Sequence, residues 1–337
     1  MLEHFILYNS CLPVKGAKRS TIYDMQRGVV RFIPNSMFDM LNEFESPTVE
    51  EIVVSKGEQH RDTIIEYFDF LLENEFGFFT DTPELFPETD MLWESPNQII
   101  NGIIDFNKYS EHNLSKILTE YSNLGCKHLL LRFFDVSNIS KLDEHLVCIS
   151  KSRIQSMEIL FKYHSALKNE DVIFLCKNNS RISNFIVHSA PEDVSICKSG
   201  ENSAFDFMLT TEEVNSSDHC GHVGTHQFSI SQDSILESLS YNSCLNRKIS
   251  IDVHGEIKNC PSMQKSYGNV KETSLNSVAL LPLFQKLWKV TKEQIDTCKT
   301  CEFRYICTDC RAFHDSDMST AKPKKCNYNP ESMIWEE

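Results

Sequence analysis

The chain has 337 residues, of which 41% are hydrophobic and 24% charged, a composition typical of a folded protein with two or three domains. Its formal net charge of −15 excludes a general nucleic-acid binder, because such proteins present a basic face. No apolar run reaches the length of a membrane span and the amino terminus lacks a signal-peptide pattern, so we expect a cytoplasmic protein without a membrane partner. Thirteen cysteines in that compartment indicate bound metal or free thiols more than disulfides.

Residues 1–90 are predicted to form one small, winged-helix-like domain in which strands precede helices. Strand-forming residues predict strands over 4–8, 20–25, 29–34 and 77–82. Gln26, Arg27 and Gly28 predict a tight turn between the second and third of these strands.

Three helices are predicted before the last of those strands. Asn35 and Ser36 are expected to cap the first helix, and Thr48 with Glu51 predicts a capping box for the second. Apolar residues at helical spacing predict the third helix over 60–75. The Pro-rich, acidic segment 83–97 that follows is expected to be a linker.

The middle region, residues 98–210, alternates predicted strands and helices. The strands are expected over 98–106, 127–134, 157–163, 183–189 and 205–210. The helices are expected over 113–124, 139–153 and 165–178, with Gly125 ending the first of them. This alternation predicts parallel βαβ units in an open sheet or partial barrel. No glycine-rich phosphate loop follows any of the strands, which disfavours a nucleotide-binding fold.

The last third of the chain is dominated by turns and cysteines. A β-hairpin is predicted over 247–260, turning at His254 and Gly255, and one helix is predicted over 280–290. Residues 241–330 hold fourteen Lys or Arg and nine Asp or Glu, so this segment is basic in an acidic chain. Positive charge suits polyanionic iron–sulfur clusters, and a solvated basic surface is the alternative interpretation.

Seven cysteines of this region have the close spacing of metal ligands. Cys244 and Cys260 are followed by Cys298, Cys301, Cys307, Cys310 and Cys326, in the pattern C-x15-C and C-x2-C-x5-C-x2-C. Two-residue gaps let one turn present both thiolates to one ion or cluster, so the spacing fits either zinc or iron–sulfur clusters. We expect most of the isolated cysteines to be small buried apolar residues; they are Cys11, Cys126, Cys148, Cys176 and Cys197.

The pattern resembles the SPASM domain, which ends many peptide-modifying radical-SAM proteins and binds auxiliary iron–sulfur clusters. The usual spacing is C-x2-C-x5-C-x3-C, and here the last gap is one residue shorter, holding Thr308 and Asp309. Segments 241–262 and 298–313 are similar to the SPASM-type peptide maturase of grasp-with-SPASM systems. In that family the maturase is encoded beside an ATP-grasp ligase and a small ribosomal precursor peptide.

The resemblance implies two four-iron clusters with interleaved ligands. The ligands of the first would be Cys298, Cys301, Cys307 and Cys326. The ligands of the second would be Cys244, Cys260, Cys310 and, as the candidate for the fourth position, Cys220. Because imidazole replaces thiolate at some cluster irons, the alternatives to Cys220 are His219, His222 and His226.

Two parts of the radical-SAM machinery are absent. The family holds its radical-generating cluster with a C-x3-C-x2-C loop after the first barrel strand, and here the corresponding residues 107–113 contain no cysteine. The family's Gly-Gly-Glu turn should follow 127–134, where this chain has residues 135–138, Asp-Val-Ser-Asn. We therefore expect no S-adenosylmethionine and no radical chemistry from this chain.

The implied fold is α/β with three parts. These are a winged-helix-like domain over 1–90, a degenerate radical-SAM-like βα barrel over 98–210 and a SPASM domain over 211–337. The first part resembles the peptide-recognition (RRE) domain of peptide-modifying enzymes, which binds a leader peptide by strand addition beside a helix. We look for that edge beside the helix 63–72, at Val29, Val30, Arg31 and Phe32. The acidic segment 64–76 disfavours DNA as a ligand.

These features predict a peptide-maturation protein with two [4Fe–4S] clusters that binds a precursor leader and acts with an ATP-grasp ligase. One alternative is an enzyme, a redox-active SPASM peptide maturase, and the other is a zinc-stabilised scaffold. The sequence shows no acid–base pair and no nucleophile with a supporting partner, so it names no catalytic residue and leaves open whether the chain is an enzyme.

Overall fold

The structure is a computed structural model that describes residues 3–200, 203–314 and 320–336. Its amino-terminal strands are β1 His4–Leu7, β2 Cys11–Val14, β3 Ser20–Asp24 and β4 Val29–Ile33. They are followed by α1 Asn35–Glu43, α2 Val49–Lys56, α3 Arg61–Glu73 and β5 Gly77–Thr80. β2, β3 and β4 form an antiparallel sheet with β3 in the centre, and β1 pairs with β5. The predicted order of strands and helices is confirmed, with β2 added.

Local signals explain most of this part. Thr48 and Glu51 form the predicted capping box at the start of α2. Gly28 has φ +67° and donates to the Asp24 carbonyl in the predicted turn. The predicted cap of α1 is wrong, because the Asn35 amide binds the Gly16 carbonyl and the Ser20 hydroxyl instead. β2 contains Pro13 and lies at an edge of the sheet, where proline is tolerated.

Eight strands of the described residues form one large sheet. They include β6 Asn101–Phe106, β7 His128–Phe133, β8 Ser156–Lys162, β9 Ile182–His188, β10 Val194–Cys197 and β11 Asp206–Leu209. The helices between them are α4 Leu114–Asn123, α5 Ile139–Leu146 and α6 Asn169–Asn178. The order is β10-β11-β9-β8-β7-β6 followed by two strands from the cysteine-rich region. A mixed α/β fold around a mostly parallel sheet is thus confirmed.

The cysteine-rich region completes this sheet. After α7 Gln232–Ser240, β12 Lys248–Ile251 pairs parallel to β6 and antiparallel to β13 Ile257–Lys258. Gly255, with φ +83°, makes the predicted hairpin turn. Ile249, Ile251 and Ile257 are buried in the same apolar cluster as β6 to β9, because strands covered on both faces need continuous apolar residues.

The helix predicted over 280–290 is confirmed in part. Within that range α9 Pro282–Gln285 continues into a 3₁₀ turn, Lys286–Lys289, and a separate short helix, α8 Leu275–Ala279, precedes it. Pro282 lacks the amide hydrogen that a continuous helix requires, so it starts a new helix. The last strands are β14 Tyr328–Asn329 and β15 Ile334–Trp335.

A separate apolar cluster joins the amino-terminal sheet to the cysteine-rich region. Val14, Tyr23 and Met25 pack there against Phe303, Ile306, Tyr328 and Ile235. The opposite face of the sheet, with Cys11, Ile22 and Ile33, packs against α1 to α3. The three-stranded sheet therefore lies between its own helices and the cysteine loops. In the described ranges no helix combines the length and apolar character needed to cross a bilayer.

Candidate metal centre

The first cysteine set, defined as Cys298, Cys301, Cys307 and Cys326, lines one small cavity. The turn Cys298–Thr300 places Cys301 beside Cys298, and the Cys301 amide donates to the Cys298 carbonyl. Cys326 reaches the cavity through a backbone bridge to Val223. The structure thus brings together the four residues predicted to hold the first cluster.

A buried lysine lies against this set. Lys292 is 3% exposed, and its Nζ donates to Cys307 Sγ at 2.6 Å and to the carbonyls of Cys307 and Thr308 at 3.3 and 3.2 Å. Burial opposes the lysine charge, but the neighbouring Cys307 and Asp309 raise its pKa above the usual value. The ammonium group is therefore held in place and kept charged beside a predicted ligand.

Two thiols of the first set, Cys298 and Cys301, resist ionisation when no cation is bound. Burial raises the pKa of Cys298 to about 12, with Lys292 opposing and Cys307 adding to the shift. Burial also raises the pKa of Cys301, and the charge of Cys307 raises it further. A cation that replaces the protons removes this repulsion, because metal ligation requires thiolates.

The second cysteine set, defined as Cys220, Cys244, Cys260 and Cys310, is also brought together. A Cβ on Gly221 would lie 2.8 Å from Cys310 Sγ, which places the 220–221 turn against that thiol. Burial and then the Cys244 charge raise the pKa of Cys260 to about 11, and Cys220 adds to the shift. Lys248 Nζ lies 3.4 Å from Cys244 Sγ. Each cysteine set thus has its own lysine in contact with a thiol.

The remaining candidates are the three histidines proposed as alternative ligands and the five isolated cysteines. His219, His222 and His226 are exposed, and His219 Nε2 faces Asn215 Oδ1 at 3.1 Å. The isolated thiols Cys11, Cys126 and Cys176 are buried as predicted, whereas Cys197 is half-buried. Cys148, just after α5, is the exposed exception, so the prediction for most of these cysteines is confirmed.

The cysteines of the first set line their cavity without converging on one point. In the part of the chain that the structure describes, no three or more Cys, His, Asp or Glu side chains are close enough to share one metal ion.

A buried ion pair that sequence reasoning missed lies near the second set. Arg132 Nε and Nη2 each donate to the Asp105 carboxylate at 2.7 Å, and the two residues face each other across the β6–β7 register. Burial opposes the arginine charge, but Asp105 and then Cys220 and Cys260 raise its pKa. The available signal was two opposite charges inside otherwise apolar strands. The pair lies towards the carboxyl ends of these strands, where open α/β sheets bind ligands.

The loop of the first set is bound to the amino-terminal sheet through Glu302. This residue is completely buried, and its carbonyl accepts hydrogen bonds from the hydroxyls of Thr21 at 3.1 Å and Tyr23. Its carboxylate accepts from Arg19 Nε at 2.8 Å and from the Tyr328 hydroxyl at 2.6 Å. Glu302 follows Cys301 directly, so the cysteine loop and β3 are held as one unit.

The predicted peptide-binding residues lie on β4, at the edge of the three-stranded sheet. Val29 and Val30 are half-buried, whereas Arg31 and Phe32 are exposed. Within the described residues, β3 is the strand that pairs with β4. The Phe32 ring packs edge-on against Phe303 at 5.9 Å, so one side of this edge contacts the cysteine loop.

Comparisons with known proteins assign no family. No protein-family model and no curated protein matches the chain. Among solved structures, the crystal structure of Streptococcus suis SuiB bound to the precursor peptide SuiA is similar over 91% of this chain and 96% of that chain. The sequence identity is 9% and the TM-score is 0.33, a level of agreement that carries no argument about fold or function.

Proposed function

We propose that the protein is a peptide-maturation protein that carries two [4Fe–4S] clusters, binds the leader of a ribosomal precursor peptide and acts with an ATP-grasp ligase. The observation that carries this proposal is the cavity lined by Cys298, Cys301, Cys307 and Cys326, with the buried Lys292 against Cys307 Sγ. The ligase partner follows from the resemblance of segments 241–262 and 298–313.

The resemblance of segments 241–262 and 298–313 favours iron–sulfur clusters over zinc, since four thiolates suit either group. The four thiols that line the cavity of the first set supply the donor set that a four-iron cluster requires. Cys298, Cys301, Cys307 and Cys326 would hold one cluster, and the second set would hold the other. When bound, such clusters supply one-electron transfer and stabilise the loops that carry their ligands.

Radical-SAM chemistry is not part of the proposal. The sheet from β6 to β11 has the strand and helix order of a partial radical-SAM-like barrel, which supports descent from that fold. The segment after β6, residues 107–113, lacks the three cysteines that such chemistry requires. Its Ser110 instead donates to the Val253 carbonyl at 2.7 Å, tying the loop to the cysteine-rich region.

The amino-terminal sheet supplies the proposed peptide-binding edge. An edge strand presents unpaired backbone groups that a peptide strand can join. Phe32, 49% exposed, offers an apolar contact beside that edge, and the exposed Arg31 offers a positive charge. We therefore propose that the leader adds antiparallel or parallel to β4, with an acidic residue near Arg31.

Metal analysis tests the clusters directly. Full-length protein purified without oxygen should be brown and contain about eight iron and eight acid-labile sulfide per chain. Cys326→Ala and Cys244→Ala should each lose about half of that iron, whereas the exposed Cys148→Ala is the matched control and should lose none. A colourless, iron-free protein that contains zinc would overturn the proposal in favour of the zinc scaffold.

Binding of a labelled peptide tests the leader site. The probe is a labelled synthetic leader peptide from a candidate ribosomal precursor, titrated against full-length protein. Arg31→Glu should weaken binding at least tenfold, whereas Val54→Glu, at a position 83% exposed on α2, should leave it unchanged. An unsaturated titration at high protein concentration would count against the leader site and leave the cluster assignment standing.

A redox enzyme is the second candidate function. It is favoured by the buried Arg132, which lies towards the carboxyl end of β7 and within electrostatic reach of Cys220 and Cys260. This function predicts that reduced, anaerobic protein alone changes the mass of the precursor peptide. An unchanged mass without the ligase removes it.

A further inference from the structure

Lys292 and Lys248, the two lysines that contact the cysteine sets, differ from neighbouring lysines in the groups that their charges face. Among the described residues, neither Lys292 nor Lys248 has a carboxylate oxygen within 4.0 Å of its Nζ. Other lysines of the same region do, since Lys258 pairs with Asp252 and Lys299 with Asp296. The charges of Lys292 and Lys248 are therefore directed at sulfur.

Lys292 is fixed by its surroundings. Its three contacts are the Cys307 sulfur and the carbonyls of Cys307 and Thr308, which use the three donors of an ammonium group. The nearby Asp309 carboxylate is occupied by Arg311 at 2.6 Å and by the Asn242 amide at 2.7 Å. These partners prevent Asp309 from drawing the lysine away from the thiol.

Lys248 is placed by the large sheet. It begins β12, opposite Asn101 of β6 in the parallel register, and follows Cys244 by four residues. Its Nζ reaches Cys244 Sγ at 3.4 Å. The sheet therefore sets where this charge lies relative to the second set.

We propose that Lys292 and Lys248 are positioning residues, each of which raises the reduction potential of the iron–sulfur cluster at its own cysteine set. This inference rests on the proposed function, since it requires both clusters. A four-iron cluster with four thiolates carries a charge of about −2, and one-electron reduction makes it more negative. A cation in contact with a ligand sulfur stabilises the reduced form more than the oxidised form. Solvent and salt screen the buried Lys292 little and the half-buried Lys248 more.

The test is a dithionite titration of the full-length, anaerobically purified protein, followed by electron paramagnetic resonance. Cys326→Ala and Cys244→Ala assign each reduction step to a set. Lys292→Met should move the first-set step to a more negative potential and leave the second-set step in place. Lys248→Met should do the reverse, so each variant is the control for the other.

Further variants separate charge from packing. Lys292→Arg and Lys248→Arg keep the charge and should stay close to the wild-type potentials, and Lys289→Met removes an exposed charge and should change neither step. Loss of first-set iron in Lys292→Met but not in Lys292→Arg would show that the charge is needed to retain the cluster rather than to set its potential, and would overturn the proposal. Potentials that do not move in the Met variants, equal shifts in Arg and Met variants, or iron loss in both would overturn it. Wild-type protein without iron would instead show that the proposed function has failed.

Discussion

Arg19 and Glu302 form an ion pair with 2.8 Å between Arg19 Nε and Glu302 Oε1, although 283 residues separate them in the chain. Glu302 is completely buried and lies beside Cys301, whereas Arg19 leads into β3. The pair joins the sheet proposed to bind the leader to the loop proposed to bind the first cluster. Whatever stabilises one of these elements must therefore stabilise the other.

We expect the removal of Arg19 to destabilise the protein, because the Arg19–Glu302 pair joins the amino-terminal sheet to the first-set loop. Arg19→Met leaves the buried Glu302 carboxylate with Tyr328 as its remaining side-chain partner. We expect the free energy of unfolding to fall by about 2 kcal/mol. The loss is smaller than for a fully buried ion pair because Arg19 is partly exposed. Guanidinium denaturation of the anaerobic protein measures it. Lys15→Met, which breaks an exposed pair with Asp39, is the control and should cost less than about 1 kcal/mol. Equal losses in the two variants would contradict the role of Glu302.

Emptying the first set should loosen the amino-terminal sheet. Thr21 and Tyr23 donate to the carbonyl of Glu302, so disorder in that loop removes two hydrogen bonds from β3. We expect Cys326→Ala to speed amide hydrogen exchange in peptides that cover β3, while peptides that cover β8 keep the wild-type rate. Cys244→Ala is the matched variant and should leave β3 protected, because the hydrogen bonds of Thr21 and Tyr23 are to Glu302 of the first-set loop. Faster exchange of β3 in both variants would show that coupling is not specific to the first set.

We expect the fold to be destabilised more by losing one charge of the Asp105–Arg132 pair than by losing both. Arg132→Met leaves a buried, unpaired carboxylate, and we expect it to lower the free energy of unfolding by about 3–5 kcal/mol. The double variant Asp105→Leu with Arg132→Met removes both charges and should recover most of that loss. A double-mutant cycle from urea denaturation measures the coupling. Additive losses would show that the two side chains act independently.

Glu237 should make stability depend on pH. Burial raises its pKa from 4.5 to about 7, with the Asn246 hydrogen bond opposing and Asp233 adding to the shift. The folded state therefore binds a proton more tightly than the unfolded state. This contribution to stability is complete below pH 4.5 and is lost as the pH rises through about 7.

Glu237→Gln should remove that dependence. The neutral amide needs no proton, so the variant should lose less stability than the wild type between pH 5 and pH 8. Urea denaturation midpoints at the two pH values measure the difference. Glu272→Gln changes an exposed carboxylate and should behave like the wild type. A Glu237→Gln profile parallel to that of the wild type would contradict the assignment.

Segments with strong local signals were predictable from sequence. Thr48 and Glu51 sit three residues apart, so their reciprocal capping bonds form whatever surrounds the helix. The continuous apolar run before Phe133 is typical of a buried parallel strand, and it became β7. The strands β2 and β10 carry no comparable run, so their conformation depends on pairing with neighbouring strands.

The residues of the candidate site also fall into those that the sequence indicates and those that only the tertiary structure reveals. Cysteine spacing by itself determined which thiols were candidate ligands, because close gaps along the chain restrict the distances between sulfurs. Tertiary structure alone decided that Cys220 lies near Cys310, that Lys292 contacts Cys307 and that Glu302 binds β3. Those contacts join residues far apart in the chain, so they depend on strand register and packing, which no local pattern encodes.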